Sequence, residues 1–269
     1  MCRRCGLGAG WGLAIALGAA VTVPAQHAVP STNEALAHVR ENVDASNAAL
    51  PNIFCDEKID SREIRDGKIK REMTLAAVMR VTRNSDGGRG FKEERSLITV
   101  DGKPARKGKQ YKPPFLLFGG FGQDFKDYLS SGVRQCNVYR LETDASAGGR
   151  EYVLEVSVDP AKRDEPSCNG LRPQVSVKFR LNPDTFEIDR FEELAAGAGR
   201  SLGFGDLHTA TDYAMVPLGP KSFLIPVRVH AVLNQSSKPE EVVYDAEYSN
   251  CHRFGSTMTI LPAAEGAPR

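Results

Sequence analysis

The feature that most constrains this chain is a two-residue period that recurs from Ile53 to the C-terminal region. In 174–181 it is plainest: Val175, Val177, Phe179 and Leu181 fall on one side, and Gln174, Ser176, Lys178 and Arg180 on the other. Successive strand side chains point to opposite faces, so such a segment has one apolar face only when extended, in a sheet buried on one side and wet on the other. The same alternation or β-branched richness marks Ile53–Glu63, Lys68–Arg83, Phe91–Val100, Asn137–Glu142, Glu151–Asp159, Thr185–Glu192, Thr209–Val216, Phe223–Leu233, Glu241–Phe254 and Ser256–Leu261. Between them stand Asn84-Ser85-Asp86-Gly87-Gly88, Asp101-Gly102, Asn182-Pro183-Asp184 and Leu218-Gly219-Pro220, residues that accept the backbone angles of tight turns. Pro226 lacks a ladder donor and predicts an edge or a bulge at its position. Short turns make consecutive strands antiparallel neighbours. The pattern predicts a mainly β (α+β) fold: a large curved antiparallel sheet or half-open β-barrel, with an N-terminal helix and a short helix covering one face. A two-sheet sandwich is the alternative that periodicity leaves open.

The helical signals are few. Asn33–Ala48 places Leu36, Val39 and Val43 on one face, and Leu50-Pro51 ends the run. Gln123–Leu129 is the short second helix. Just before it, Tyr111–Gly122 (Y-K-P-P-F-L-L-F-G-G-F-G) is the most apolar stretch after residue 25, yet its paired prolines and glycines deny it regular structure. Phe115, Leu116, Leu117, Phe118 and Phe121 therefore either plug the apolar face of the sheet or form a lid over an apolar ligand cavity. In the second case Val175, Val177 and Phe179 would line the cavity. The preceding Lys103–Lys112 (K-P-A-R-K-G-K-Q-Y-K) carries five basic residues; it reads as a solvated loop, or as a contact with an anionic lipid or membrane surface.

Arg3 and Arg4 precede an uncharged apolar core, Leu13–Val23, and small residues end at Ala25, the arrangement of a secretory signal peptide cleaved after Ala25. A retained membrane helix is the competing reading. The expected organisation is a cleaved signal peptide at 1–25, a flexible lead at 26–32, one β-rich domain at 33–262 and a flexible tail at 263–269. Export implies a periplasmic or secreted protein with no transmembrane span in the mature chain. Cleavage leaves 33 basic against 34 acidic residues, a balance that argues against a nucleic-acid partner. It also leaves Cys55, Cys136, Cys168 and Cys251, an even number in a compartment where disulfides persist. Of the three pairings, Cys136–Cys168 would brace a local hairpin and Cys55–Cys251 would tie the first strand to the last. Zinc is the other use of cysteine, but no C-x-x-C occurs, and Cys251 and His252, adjacent in a strand, point apart.

Catalytic and cofactor signatures are absent from the sequence: there is no G-x-S-x-G, H-E-x-x-H, phosphate loop or dinucleotide fingerprint. His208, near Asp206 and Asp212, is the one histidine with acids close by, and it is the candidate base if the chain is an exported hydrolase. Glu93-Glu94, Glu192-Glu193 and Glu240-Glu241 read as solvated strand faces rather than facing carboxyls of a glycosidase cleft.

Ala49-Leu50-Pro51-Asn52-Ile53-Phe54-Cys55 after a helix, Leu218-Gly219 with Lys221-Ser222-Phe223 and Ile225-Pro226, Asn182–Ile188 at a strand turn, and the closing Tyr248-Ser249-Asn250-Cys251-His252-Arg253-Phe254 resemble a group of exported bacterial proteins of unknown function. The order of elements is similar to that of the outer-membrane lipoprotein-sorting carriers, the LolA-like and LppX-like proteins. That likeness implies a half-open barrel with a helical lid that holds acyl chains. The resulting expectation is a non-catalytic envelope carrier for a lipid, acyl chain or acylated protein, with no cofactor and no metal. An envelope interaction module that docks a protein partner without a ligand cavity is the alternative.

Overall fold

The structure, a computed structural model, describes residues 29–84, 90–117, 121, 126–144, 151–162, 165–168, 175–197, 205–234 and 240–255. The expected signal peptide, its cleavage site, the tail, the turn at 85–88, the strand at 256–261 and Phe118 lie outside these residues.

Helix α1 (Thr32–Ala49) begins at a capping box: the Ser31 hydroxyl accepts from the Glu34 amide, while the Glu34 carboxylate accepts from the Ser31 amide. Ala35, Leu36, Val39 and Val43 form its buried face. Leu50, held extended by Pro51, stops the helix. Its carbonyl end has no basic residue of its own in the last turn. Arg83 supplies one from the sheet, donating to the Asn47, Ala48 and Leu50 carbonyls at 2.8–3.1 Å.

Eleven strands follow: β1 (Ile53–Arg65), β2 (Lys68–Arg83), β3 (Phe91–Val100), β4 (Lys103–Pro104), β5 (Asn137–Thr143), β6 (Tyr152–Val158), β7 (Val175–Leu181), β8 (Ile188–Ala195), β9 (Leu207–Leu218), β10 (Lys221–Asn234) and β11 (Glu240–Arg253). They form one antiparallel sheet in the order β4-β3-β2-β1-β11-β10-β9-β8-β7-β6-β5. The sheet is open, with β4 and β5 at opposite edges. Nine of the ten pairings join strands consecutive in sequence, and β1 with β11 is the exception. Asp66-Gly67 and Asp101-Gly102 make two-residue turns with positive φ at both positions, which Asp and Gly tolerate.

The strand bounds depart from the periodicity in identifiable places. β8 was expected from Thr185 and starts at Ile188, because the turn is longer: Asn182 Oδ1 accepts from the Asp184 and Thr185 amides, and the Asn182 amide reaches the Glu187 carbonyl. Pro226 sits at a register shift between β10 and β9, inside the sheet rather than at its edge, so of the two expectations the bulge holds. Lys103–Pro104, expected as loop, extends the β3 hairpin by one short strand. Of Gln123–Leu129, α2 covers Lys126–Leu129.

Two disulfides form, in the pairing that braces a local segment and ties the first strand to the last. Cys55–Cys251 joins β1 to β11, and Cys136–Cys168 ties the loop after β6 back to the start of β5. Such bonds persist in an oxidising compartment, which agrees with an envelope or secreted protein. Among the described residues no helix is long and apolar enough to cross a membrane.

Candidate functional site: the covered inner face of the sheet

Cross-strand register defines one continuous face of the sheet. Leu141, Leu154, Phe179, Phe191, Thr211, Val229, Ala246, Ile59, Leu75 and Val100 are successive cross-strand partners from β5 to β3. All but the half-buried Leu141 are buried, and Thr211 is the one polar member. The inner face is thus a continuous apolar floor ten strands wide. Two covers lie on it.

Over β6–β9 the cover is α1, with Leu36, Val39 and Val43 against Leu154, Val177, Phe179 and Phe191. The helix is fixed at its outer side by the Asn42 amide, which donates to the Thr185 carbonyl at 2.8 Å, and by His38 stacked on Phe186 with ring centres 5.0 Å apart. Over β1–β3, β10 and β11 the cover is the irregular segment after β4, a strap whose Tyr111, Phe115, Leu116, Leu117 and Phe121 pack on Ile59, Met79, Ile225 and Tyr244. Phe121 stands edge-on to Tyr248 and Phe115 edge-on to Tyr244.

The strap is held through its backbone by polar side chains rising from the floor. Ser61 Oγ accepts from the Phe115 amide and donates to the Phe115 carbonyl, both at 2.9 Å. Arg95 Nη2 donates to the Leu117 carbonyl at 2.9 Å, and Glu93 Oε1 accepts from the Phe121 amide at 3.1 Å. Arg95 also forms a two-pronged ion pair with Glu57 at 2.6 and 2.7 Å, with side chains 4% and 0% exposed. Tyr244 accepts from Arg95 at 3.2 Å. Burial pushes the Tyr244 and Tyr248 phenols above the usual tyrosine range.

The glutamate pairs, expected as solvated, are corrected by this geometry. Glu93 turns inward to the strap, Glu192 bonds Arg190, and Glu240 is buried against Arg65. Glu94, on the opposite face from Glu93, pairs with Lys92 at 2.6 Å, because a strand sends neighbours to opposite faces. Glu57 and Ser61, the polar residues that matter most here, occupy inward positions of an otherwise apolar alternation in β1. The break in that alternation, with Arg95 at an inward position of β3, was the available signal.

The expected site residues fall into two groups. Val175, Val177 and Phe179 lie beneath α1, while Phe115, Leu116, Leu117 and Phe121 lie in the strap. The covers meet at a slot of about 20 Å³, the room of one water molecule, between Val43 of α1 and Leu50 just after it, Phe121 of the strap, and Tyr213, Leu224 and Pro226 of the floor. Ser46 and Asn47 supply its polar lining.

The outer face carries charges. An open cleft of about 410 Å³ there is lined by Asp60, Arg62, Glu72, Arg228, Asp245 and Glu247. Four of its charges pair within it, Asp245 with Arg62 at 2.5 Å and Arg228 with Glu247 at 3.2 Å; Asp245 also bonds His230 at 2.7 Å, and Asp60 bonds Lys58 at 3.6 Å. His208 is exposed, four strand residues or about 13 Å from Asp212. Asp212 is committed to Arg190 and Asp206 to the Gly197 amide, so the three groups do not form a catalytic set.

An open antiparallel sheet with one apolar face under a helix and a strap defines the fold class. Solved structures similar to it include a LolA superfamily protein from Nitrosomonas europaea, at 12% identity and a TM-score of 0.35, covering 84% of this chain and 95% of that one. A DUF1329 family protein from Desulfovibrio piger matches at 10% identity and a TM-score of 0.38, over 85% of this chain and 95% of its own. A Vibrio parahaemolyticus domain described as an outer membrane lipoprotein-sorting protein matches at 10% and 0.38, over 86% and 96%. No protein-family model and no curated protein matches the sequence.

Proposed function

We propose that this protein is an exported, non-catalytic carrier that binds an apolar ligand, a lipid or acyl chain, between the sheet and its two covers. The observation that carries the reading is the floor itself. Ten strands of apolar surface are covered by one helix and one irregular strap, and the covers meet at a slot rather than at a packed joint. Apolar ligands bind in apolar concavities with few, well-placed polar groups. Here Val175, Val177 and Phe179 would line the α1 side, and Phe115, Leu116, Leu117, Phe118 and Phe121 the strap side. The slot has room for about one water molecule, so loading an acyl chain would require α1 and the strap to part. The residues 1–25 would direct export and be removed.

Native mass spectrometry of protein from an envelope fraction, with organic extraction, tests this. A co-purifying lipid of defined mass, diminished in Phe121→Ala, is the expected result. A ligand-free mass from cells and no uptake of a fluorescent fatty acid would sink the carrier. The edge strand β5 favours a second reading, an interaction module, because among the described residues no strand pairs with its other side, which a partner strand would take.

A further inference from the structure

A second surface lies at the far end of the β1–β2 hairpin. The last β2–β3 partners are Leu75 and Val100, so Lys68–Thr74 run on beyond β3 for about 20 Å. The loop after β4 folds against this projection: the Arg71 guanidinium donates to the Lys112 carbonyl at 3.0 Å, and the Tyr111 hydroxyl accepts from the Arg106 amide at 2.9 Å. The fold thereby joins two basic segments that are more than thirty residues apart in sequence. Together 65–71 and 103–112 hold nine basic residues and one acid, Asp66.

Arg65 and Arg71 are engaged by Glu63 and Glu240. Lys68, Lys70, Arg106, Lys107, Lys109 and Lys112 are exposed and have no carboxylate partner among the described residues. No Asp or Glu occurs between Gly102 and Gln123. Concentrating like charges on one corner of a nearly neutral chain raises self-repulsion that an anionic surface relieves. Ile69, 55% exposed at the hairpin tip, sits between Lys68 and Lys70. Within β2, Lys68 and Lys70 point to one face and Ile69 to the other; an exposed isoleucine at the tip of a basic hairpin gains free energy by leaving water for an apolar phase just beneath an anionic one. That combination is the chemistry of a phospholipid interface.

We infer that this corner docks the protein on an anionic phospholipid surface, the lysines and arginines meeting headgroup phosphates while Ile69 enters the interface. The inference stands whether or not the inner face holds a ligand. Sedimentation of the purified protein with vesicles tests it. Mixed phosphatidylcholine–phosphatidylglycerol vesicles are expected to bind at low salt and release at high salt, and pure phosphatidylcholine vesicles to bind little. Each neutralised cation weakens partition about fivefold, so the combined Arg106→Gln, Lys107→Gln and Lys109→Gln variant loses about a hundredfold. Ile69→Ser lowers binding severalfold and keeps the salt dependence. The altered side chains are exposed, so urea midpoints are expected to stay unchanged. Equal partition into neutral vesicles, no binding at low salt, or full binding by the triple variant overturns the proposal. Retention of duplex DNA or polyglutamate without vesicle binding would also overturn it, assigning the corner to another polyanion.

Discussion

Glu57 and Arg95 are the residues whose chemistry is furthest from their surroundings, an ion pair sealed between an apolar floor and an apolar strap. Removing one partner of a buried pair strands the other, at a cost of about 3–5 kcal/mol. Arg95→Met is therefore expected to lower the urea midpoint strongly and to make 111–121 a site of proteolysis. Arg95→Met with Glu57→Leu should recover much of the loss, since no buried charge is then left alone; a double variant as unstable as the single one contradicts this. The neighbouring tyrosines carry a pH signature. Their folded pKa values are raised by burial, so the unfolded state loses its phenol protons first, near pH 10. Above that pH the unfolded chain binds fewer protons than the native one, and stability falls as pH rises. Urea melts from pH 8 to 11 should show that fall, and Tyr248→Phe should make it shallower.

At the scale of elements the two covers differ in what holds them. Helix α1 is specified locally, by its capping box and apolar stripe, and the sequence displayed both. Among its described residues the strap has no internal hydrogen-bond ladder and is held by single side chains of β1 and β3. Ser61 satisfies both the amide and the carbonyl of Phe115, so Ser61→Ala leaves two buried backbone groups unbonded, about 1–3 kcal/mol each. The expected outcome is faster amide exchange across 115–117 with α1 protection unchanged; equal loosening of both covers would contradict independent attachment. Strand identities were legible from alternation and turn residues, as β2 and β3 illustrate. The start of β8 was not, because side-chain bonds from Asn182 prolong the turn in a way no period records. Phe115–Phe121 were legible as apolar and irregular, while their partners Ser61, Glu93 and Arg95 come from strands distant in sequence.

For the molecule as a whole, β1 against β11 is the seam. It alone pairs strands from opposite ends of the domain, and Cys55–Cys251 crosses it over 196 residues. Chain-entropy reasoning gives about 5 kcal/mol for that bond and about 4 kcal/mol for Cys136–Cys168, which spans 32 residues. Cys55→Ala with Cys251→Ala should thus destabilise more than Cys136→Ala with Cys168→Ala in urea melts; the reverse order would place the weaker seam at β5–β6. The sequence by itself determined that most of the chain is antiparallel strand, which faces are apolar, where α1 begins and ends, and that four cysteines form a framework. Those properties are local, written in a period of two, a capping box and turn residues. Only the tertiary structure decided the seam, and with it the strap: once β1 pairs with β11, β4 and β5 stand at opposite edges, so the chain between them has to cross the width of the sheet. Its residues Phe115, Leu117 and Phe121 lie on the apolar floor, where buried backbone groups must find partners, and Ser61, Glu93 and Arg95 are the partners they find.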